Sequence, residues 1–493
     1  MRTDEHISDG PTARTGGGRR ALAPRRLLRG ALPAVLLLVA ACTGDGGGGV
    51  AAAAGQPGVA GVGDPLFPRL GNGGYDVRHY GLTLDYVPEG NRLHGIAVVK
   101  SRAKQDLNAF NLDFKGLKVR TALVDGKSAR VSRKGDELTV TPRSTIGKGR
   151  EFEVKIVYDG KPQRVVDADN GKEGWVETDD GSVSLGEPMG SMTWFPGNHH
   201  PSDKATYDIN VTVPKGFTAV ANGELKRRTV AEDGRTTFAW HTAEPMASYL
   251  ASVAVGDFTV SETKTKDGLP VYVAVDPDEA ERSKGVEKLI PKVVEWGSGL
   301  FGPYPFSGTG AVVDNNPDVD YALETQGKPY FPHAPDDLLV VHELVHQWFG
   351  NSVSPRTWRD MWLNESFPTY AEWMWEEKTG GRTVAKIFQD FYDGTDKLSE
   401  DIWDFPPGNP PADDVSGDPV YGRGAMVLHK VREAVGDKTF FDIVRTWTKQ
   451  HRHGNAETRQ FIELCEKKSG KDLGKLFEAW LYGKAKPPRG RAA

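Results

Sequence analysis

The sequence predicts an α+β protein: a β-rich amino-terminal domain, built as a sandwich or saddle, followed by a domain that combines a mixed sheet with helices. Two patterns carry this expectation. Between about residues 75 and 260, short segments alternate apolar and polar side chains at period two and are separated by turn signals, as half-buried strands are. The second half is helix-rich beyond Glu372, and ahead of that point an apolar run over residues 338–349 carries two histidines four positions apart. With 493 residues, 38% of them hydrophobic, the chain can build two or three cored domains.

The leading residues fit neither pattern. Arg19, Arg20, Arg25, Arg26 and Arg29 precede an apolar run over residues 31–41 that is too short for an ordinary membrane span. The run ends Val39-Ala40-Ala41-Cys42, which resembles a bacterial lipobox. That resemblance implies a signal peptide over residues 1–41, cleavage before Cys42 and a lipid on that cysteine. The protein would then be exported and held on the extracytoplasmic side of the cell membrane. A plain secretory signal cut nearby is the alternative, and Arg25-Arg26-Leu-Leu hints at twin-arginine export. Residues 42–64, rich in Gly and Ala, suit a flexible tether. Loss of residues 1–41 moves the net charge from −5 to −9, so nucleic acid is not an expected partner. With Cys42 lipidated, Cys465 has no disulfide mate, and its neighbours Ile462 and Leu464 mark it as a core thiol.

The β-rich domain is expected over residues 65–262. Tyr80, Leu82, Leu84 and Tyr86 share one face of a strand, and segments 151–158, 207–213 and 249–255 alternate in the same way. Glu89-Gly-Asn, Asp125-Gly, Asp159-Gly and Asp233-Gly supply turns. His199 and His200 have no metal-ligand spacing and read as loop residues. The second domain, residues 263–493, is expected to open with a short strand at 271–275, a helix over 277–300 and a strand at 309–314. A Pro/Asp/Gly-rich loop follows at 398–415, then a helix start near Val420, then two or three closing helices from 440 to 482. His451 and His453 read as solvated loop residues.

The chemistry is concentrated in residues 341–372. His342 and His346 lie on one helical face, where Cβ atoms four apart are about 5–6 Å distant, so two imidazoles can grip one cation. Asp336 and Asp337 suit the first turn of that helix and Gly350 its stop. Glu343 sits beside the pair, free to take a proton from water. A zinc hydrolase wants three protein ligands and one open position, and Glu365, with eighteen residues between it and His346, is the expected third. Pro368 places a helix start near residues 364–366, with Glu365 at its amino end, where the dipole favours a carboxylate. Glu372, seven residues further along the same face, is placed to partner a ligating histidine.

These residues resemble the gluzincin aminopeptidases, the family of aminopeptidase N and leukotriene hydrolase. The family pattern is H-E-x-x-H, eighteen residues, then a glutamate in a W-L-N-E-G-F-A-x-Y-like segment. Here that segment reads Trp362-Leu-Asn-Glu365-Ser-Phe-Pro-Thr-Tyr370, with Ser for Gly and Pro for Ala. The likeness covers roughly residues 70–483 and implies a thermolysin-like zinc metallopeptidase domain after the β-rich one, with one Zn²⁺ per chain. It matches Glu187 to a position that in some members touches the substrate's free amine. It matches Glu324, in Tyr321-Ala-Leu-Glu-Thr-Gln326, to the glutamate of the family's G-x-M-E-N, which receives the α-ammonium. It matches Tyr421, in Val420-Tyr-Gly-Arg-Gly424, to the tyrosine that steadies the developing oxyanion.

The expected function is therefore removal of amino-terminal residues from peptides that carry a free amine, with Glu343 and Tyr421 catalytic and His342, His346 and Glu365 on the metal. A zinc endopeptidase would share the metal triad without needing Glu187 and Glu324 for an ammonium. A non-catalytic binding protein of the same fold is disfavoured by the complete set of catalytic residues. Side-chain preference and oligomeric state are not legible at this level.

Overall fold

The computed structural model describes residues 55–166 and 171–489. The expected signal peptide, the Cys42 lipid site and the first part of the expected tether lie outside the described residues. No helix among the described residues is long and apolar enough to cross a membrane. The described residues form one compact unit.

The β-rich domain rests on an eight-stranded sheet. Its strands run in the order Glu224–Val230, Thr236–Ala247, Lys204–Val213, Tyr75–Val87, Arg92–Ala103, Glu151–Gly160, Lys118–Val124 and Lys127–Ser128. Only the pairing of Lys204–Val213 with Tyr75–Val87 is parallel. The period-two expectation holds: Tyr80, Leu82, Leu84 and Tyr86 are all buried, as are Phe152, Val154, Ile156 and Tyr158, and Tyr207, Ile209 and Val211. A five-stranded sheet (Arg164–Val166, Lys172–Glu177, Ser182–Leu185, Val253–Gly256, Thr218–Ala221) and a smaller four-stranded one complete the domain. The five-stranded sheet carries Val253–Gly256 buried at every position, so both of its faces are covered there.

The second domain opens with a mixed four-stranded sheet, Thr259–Lys264, Pro270–Val275, Thr309–Val313 and Tyr330–Phe331. Helices follow: α1 (Val286–Phe301), α2 (Asp337–Val345), α3 (Trp362–Lys378), α4 (Val384–Asp393), α5 (Gly424–Val435), α6 (Asp437–Gln450) and α7 (Thr458–Ser469). Helix α2 is apolar nearly all round, with Val340, Val341, Leu344 and Val345 at most 1% exposed, because it is packed between α1 and α3. Cys465 is fully buried on α7, as its neighbours foretold.

Several boundaries differ from the sequence expectation, each for a local reason. The end of the expected tether is not free: Gln56 N donates to Asp106 O and Gly58 N to Ala109 O, so residues 55–64 lie along the β-rich domain. Tyr249 and Leu250 form a 3₁₀ turn, and the strand starts only at Val253. The helix expected over 277–300 is a 3₁₀ turn at Pro277–Glu279, capped by Asp276, and then α1 from Val286. Helix α3 begins at Trp362, before residues 364–366, so Pro368 lies in its second turn, not its first. His199 and His200 are indeed loop residues, but buried ones: His199 Nε2 lies 3.0 Å from Phe195 O, and His200 Nε2 lies 3.1 Å from Asp64 Oδ2. His451 and His453 are half-buried and not solvated, because Gly454–Ala456 pairs with Val353–Pro355 and folds their loop inward.

One half-buried lysine ties this frame to the segment between α2 and α3. Lys204 Nζ, at the head of its strand, donates to the carbonyls of Asn351 (2.7 Å), Ser352 (3.0 Å) and Gly454 (3.4 Å). Replacement by methionine would remove this amine from all three carbonyls, of which the Asn351 carbonyl keeps only the longer bond from Ser354 Oγ at 3.3 Å. Lys204→Met is expected to cost about 2–3 kcal/mol of stability, read as a lowered midpoint of urea unfolding.

Candidate metal centre and its cavity

Helix α2 starts where Asp336 Oδ1 accepts the Leu339 amide at 2.9 Å. His342 and His346 project from one face with ring centroids 4.8 Å apart. Regular helix ends at Val345, earlier than the Gly350 stop expected, and His346 is the cap residue. Gly350 instead shapes the return: its φ is +100°, and a Cβ there would fall 1.7 Å from Asn364 Oδ1. The absence of a side chain lets the loop pass against the start of α3.

That start delivers Glu365. Its Oε2 lies 3.4 Å from His342 Nε2 and 3.3 Å from His346 Nε2, and all three side chains are buried. Donors held about 2.0–2.1 Å from one tetrahedral zinc are themselves about 3.3–3.4 Å apart. The separations therefore fit zinc between them. The far ring nitrogens support the same geometry: His342 Nδ1 is 2.5 Å from Glu372 Oε1, and His346 Nδ1 is 3.2 Å from Phe349 O. Each imidazole thus donates outward and turns Nε2 inward. Burial would raise the Glu365 carboxyl, but His346 and His342 beside it hold it down at about 2.

Around this triad stand three more carboxylates. Glu343 is 4% exposed, its Oε2 has no protein partner, and burial pushes it up to about 8 in spite of the two imidazoles. Glu324 reaches the same point from the segment after the mixed sheet's third strand, and donor atoms of Glu324, Glu343 and His346 fall within 4.8 Å of one another. Glu187 comes from the β-rich domain, and its carboxylate lies within 4.8 Å of those of Glu324 and Glu365. Glu187 Oε1 is buried without a partner, and burial followed by the Glu324 charge raises its carboxyl. Glu187, in a turn of the β-rich domain, thus brings its carboxylate to the cavity.

Tyr421 closes the opposite side. It sits in a widened helical turn, Pro419–Arg423, ahead of α5, with its ring stacked on His342 at 6.0 Å and 26°. A Cβ at Gly424 would meet Ser366 Oγ at 1.8 Å, so only glycine lets α5 lie this close to α3. Ser366 Oγ then donates to Val420 O at 2.7 Å, next to Tyr421. The groups open into one cavity of about 840 Å³, which is large enough for a few peptide residues.

The eight side chains singled out in the sequence thus meet in one place. Reading the sequence found Glu372 but missed the amides that hold the other groups. Asn364 Nδ2 donates both to Glu324 Oε1 (3.1 Å) and to Glu365 Oε1 (2.9 Å), joining the two carboxylates. Asn351 Nδ2 (2.6 Å) and Gln347 Nε2 (3.4 Å) donate to the Glu324 carbonyl, which fixes that segment to the end of α2. Only Asn364 carried a signal, its place beside the third ligand.

Comparison with known proteins agrees with this geometry. Residues 77–250 match the Peptidase M1 N-terminal domain, and residues 336–480 match the Peptidase family M1 domain. Tricorn protease-interacting factor F2 of Thermoplasma volcanium is 27% identical over 60% of this chain and 40% of its own length. Probable aminopeptidase 1 of Saccharolobus solfataricus is 24% identical over 82% of this chain and 53% of its own. The chain spans about half the length, or less, of these curated relatives. The crystal structure of an M1 zinc metallopeptidase from Deinococcus radiodurans aligns with a TM-score of 0.80 at 29% identity, over 87% of this chain and 98% of that one. A substituted form of that metallopeptidase, bound to a Tyr-Ser-Ala substrate, aligns at 0.77. Both domains match in order, over more than half of the sequence, and the fold is shared nearly end to end, so the chain belongs to peptidase family M1.

Proposed function

We propose that this protein is a zinc-dependent aminopeptidase that removes residues from the free amino end of peptides. One observation carries the reading: Glu187 and Glu324 place two carboxylates within 4.8 Å of the metal-facing Glu365, where one ammonium can bind both. A substrate held there by its α-amine presents its first peptide bond, and no later one, to the metal side of the cavity. The relatives named as aminopeptidases and the peptide-bound metallopeptidase support the same substrate class.

His342 Nε2, His346 Nε2 and the Glu365 carboxylate would hold the ion. Zinc bound there acidifies water and polarises a carbonyl oxygen. The charge of a dication held beside it would keep Glu343 ionised in spite of its burial. Its unpartnered Oε2 then takes a proton from water and passes it to the leaving amine nitrogen. The Tyr421 hydroxyl donates to the substrate's carbonyl oxygen as that oxygen gains charge. Glu372 holds the His342 tautomer that leaves Nε2 free. We further propose that the mature chain starts at a lipidated Cys42 and is held by that lipid at the outer face of the cell membrane, on the strength of Val39-Ala40-Ala41-Cys42.

Glu343→Gln is expected to keep about one zinc per chain and to lose several orders of magnitude in kcat, while Glu365→Ala loses zinc. Elemental analysis beside steady-state rates separates the two, and a metal-free Glu343→Gln protein refutes the role given to Glu343. Glu324→Ala is expected to lower kcat/KM on free-amine substrates by about ten- to two-hundred-fold. The same change should leave the slow cleavage of N-acetylated peptides almost untouched, and equal losses on both would assign Glu324 to the fold alone. Mass spectrometry of the native amino terminus should find a diacylglyceryl-bearing Cys42. An unmodified terminus elsewhere removes the lipoprotein reading.

A further inference from the structure

One wall of the cavity comes from a stretch that precedes both family domains. Residues 55–74 run along the β-rich domain, with Gly61 N donating to Gly71 O and Gly73 N to Val59 O. Midway sits Asp64, 2% exposed and fully engaged. Its Oδ1 accepts the amides of Leu66 (2.8 Å) and Phe67 (2.9 Å). Its Oδ2 accepts the Trp358 amide (2.9 Å) and meets His200 Nε2 at 3.1 Å. One carboxylate therefore fixes the turn that carries Phe67 and, at the same time, the loop that joins α2 to α3.

Phe67 is the residue this anchor delivers. Its ring meets Trp358 edge-on at 5.9 Å, and its remaining surface lines the cavity together with Pro188, Met189 and Leu323. Trp358 in turn meets Tyr249 at 5.3 Å. Pro188 and Met189 directly follow Glu187 and Leu323 directly precedes Glu324, so the wall that Phe67 shares with them adjoins these two carboxylates. This apolar wall and the carboxylates of Glu187 and Glu324 line one and the same cavity.

We propose that Phe67 is a specificity-determining residue: the side chain of the substrate's amino-terminal residue packs on its ring, which favours large apolar residues such as leucine and phenylalanine over alanine. The inference rests on the aminopeptidase reading and adds to it a residue outside the matched family domains. Burying a leucine-sized side chain on such a wall is worth about tenfold or more in kcat/KM.

The test uses the zinc-loaded enzyme with alanyl-, leucyl- and phenylalanyl-coumarin and N-acetyl-leucyl-coumarin. Phe67→Ala is expected to lower kcat/KM about tenfold on the leucyl and phenylalanyl substrates, mainly through KM. The alanyl substrate should stay within about twofold, with zinc content unchanged. Phe67→Trp, which crowds the same wall without removing it, should shift the leucyl-to-alanyl ratio in the same direction and keeps the question open to test if the alanine variant does not fold. An unchanged ratio in a folded variant, or equal losses on all three substrates, overturns the assignment. Wild-type cleavage of the acetylated substrate at the leucyl rate would instead overturn the aminopeptidase reading.

Discussion

The convergence of three buried donors on one point governs this structure. His342, His346 and Glu365 must hold nitrogen and oxygen atoms about 3.3–3.4 Å apart in an interior where an unpaired charge is costly. Nothing in either helix alone enforces that distance. It is set by how closely α2 and α3 approach, and that approach depends on Gly350, on the Asn364 amide and on the outward bonds of the two imidazoles. A shift of even 1 Å between the helices would break the geometry.

The same dryness gives the other carboxylates their meaning. Glu343, Glu324 and Glu187 are raised by burial, each in part by its acidic neighbours, a state that a compact protein without function has little reason to keep. Asn364 supplies one amide to Glu324 and Glu365 together, so the cluster is only partly satisfied by protein. What remains open, Glu343 Oε2 and Glu187 Oε1, points to species that arrive from outside: a proton in one case, a cation in the other.

The β-rich domain is therefore part of the site and not a carrier for it. It contributes Glu187 to the carboxylate cluster, Lys204 to the loop beneath the metal helices, and the Asp64 anchor with Phe67 to the cavity wall. Each of these reaches across to a residue of the second domain, which explains why the described residues form one compact unit. Fixing the two domains relative to one another fixes Glu187 relative to His342, His346 and Glu365.

The sequence by itself determined what local spacing can express. Two histidines four apart share a helical face whatever surrounds them, so His342 and His346 were legible, and so was Glu343 between them. Alternation at period two was enough to place the strands around Tyr80, Phe152 and Tyr207. The helical face shared by Glu365 and Glu372 foretold the bond from Glu372 to a ligating histidine, although not which one. The tertiary structure decided everything that depends on contact between distant segments. It placed the start of α3 at Trp362, where the preceding loop packs, although Pro368 alone suggested a later start. It buried His199 and His200, which carry no pattern, and turned the end of an apparently free glycine-rich tether into an ordered arm through Asp64. Periodicity reports only which face of an element is covered. Which element covers it is chosen by packing over hundreds of residues, and no local pattern contains that choice.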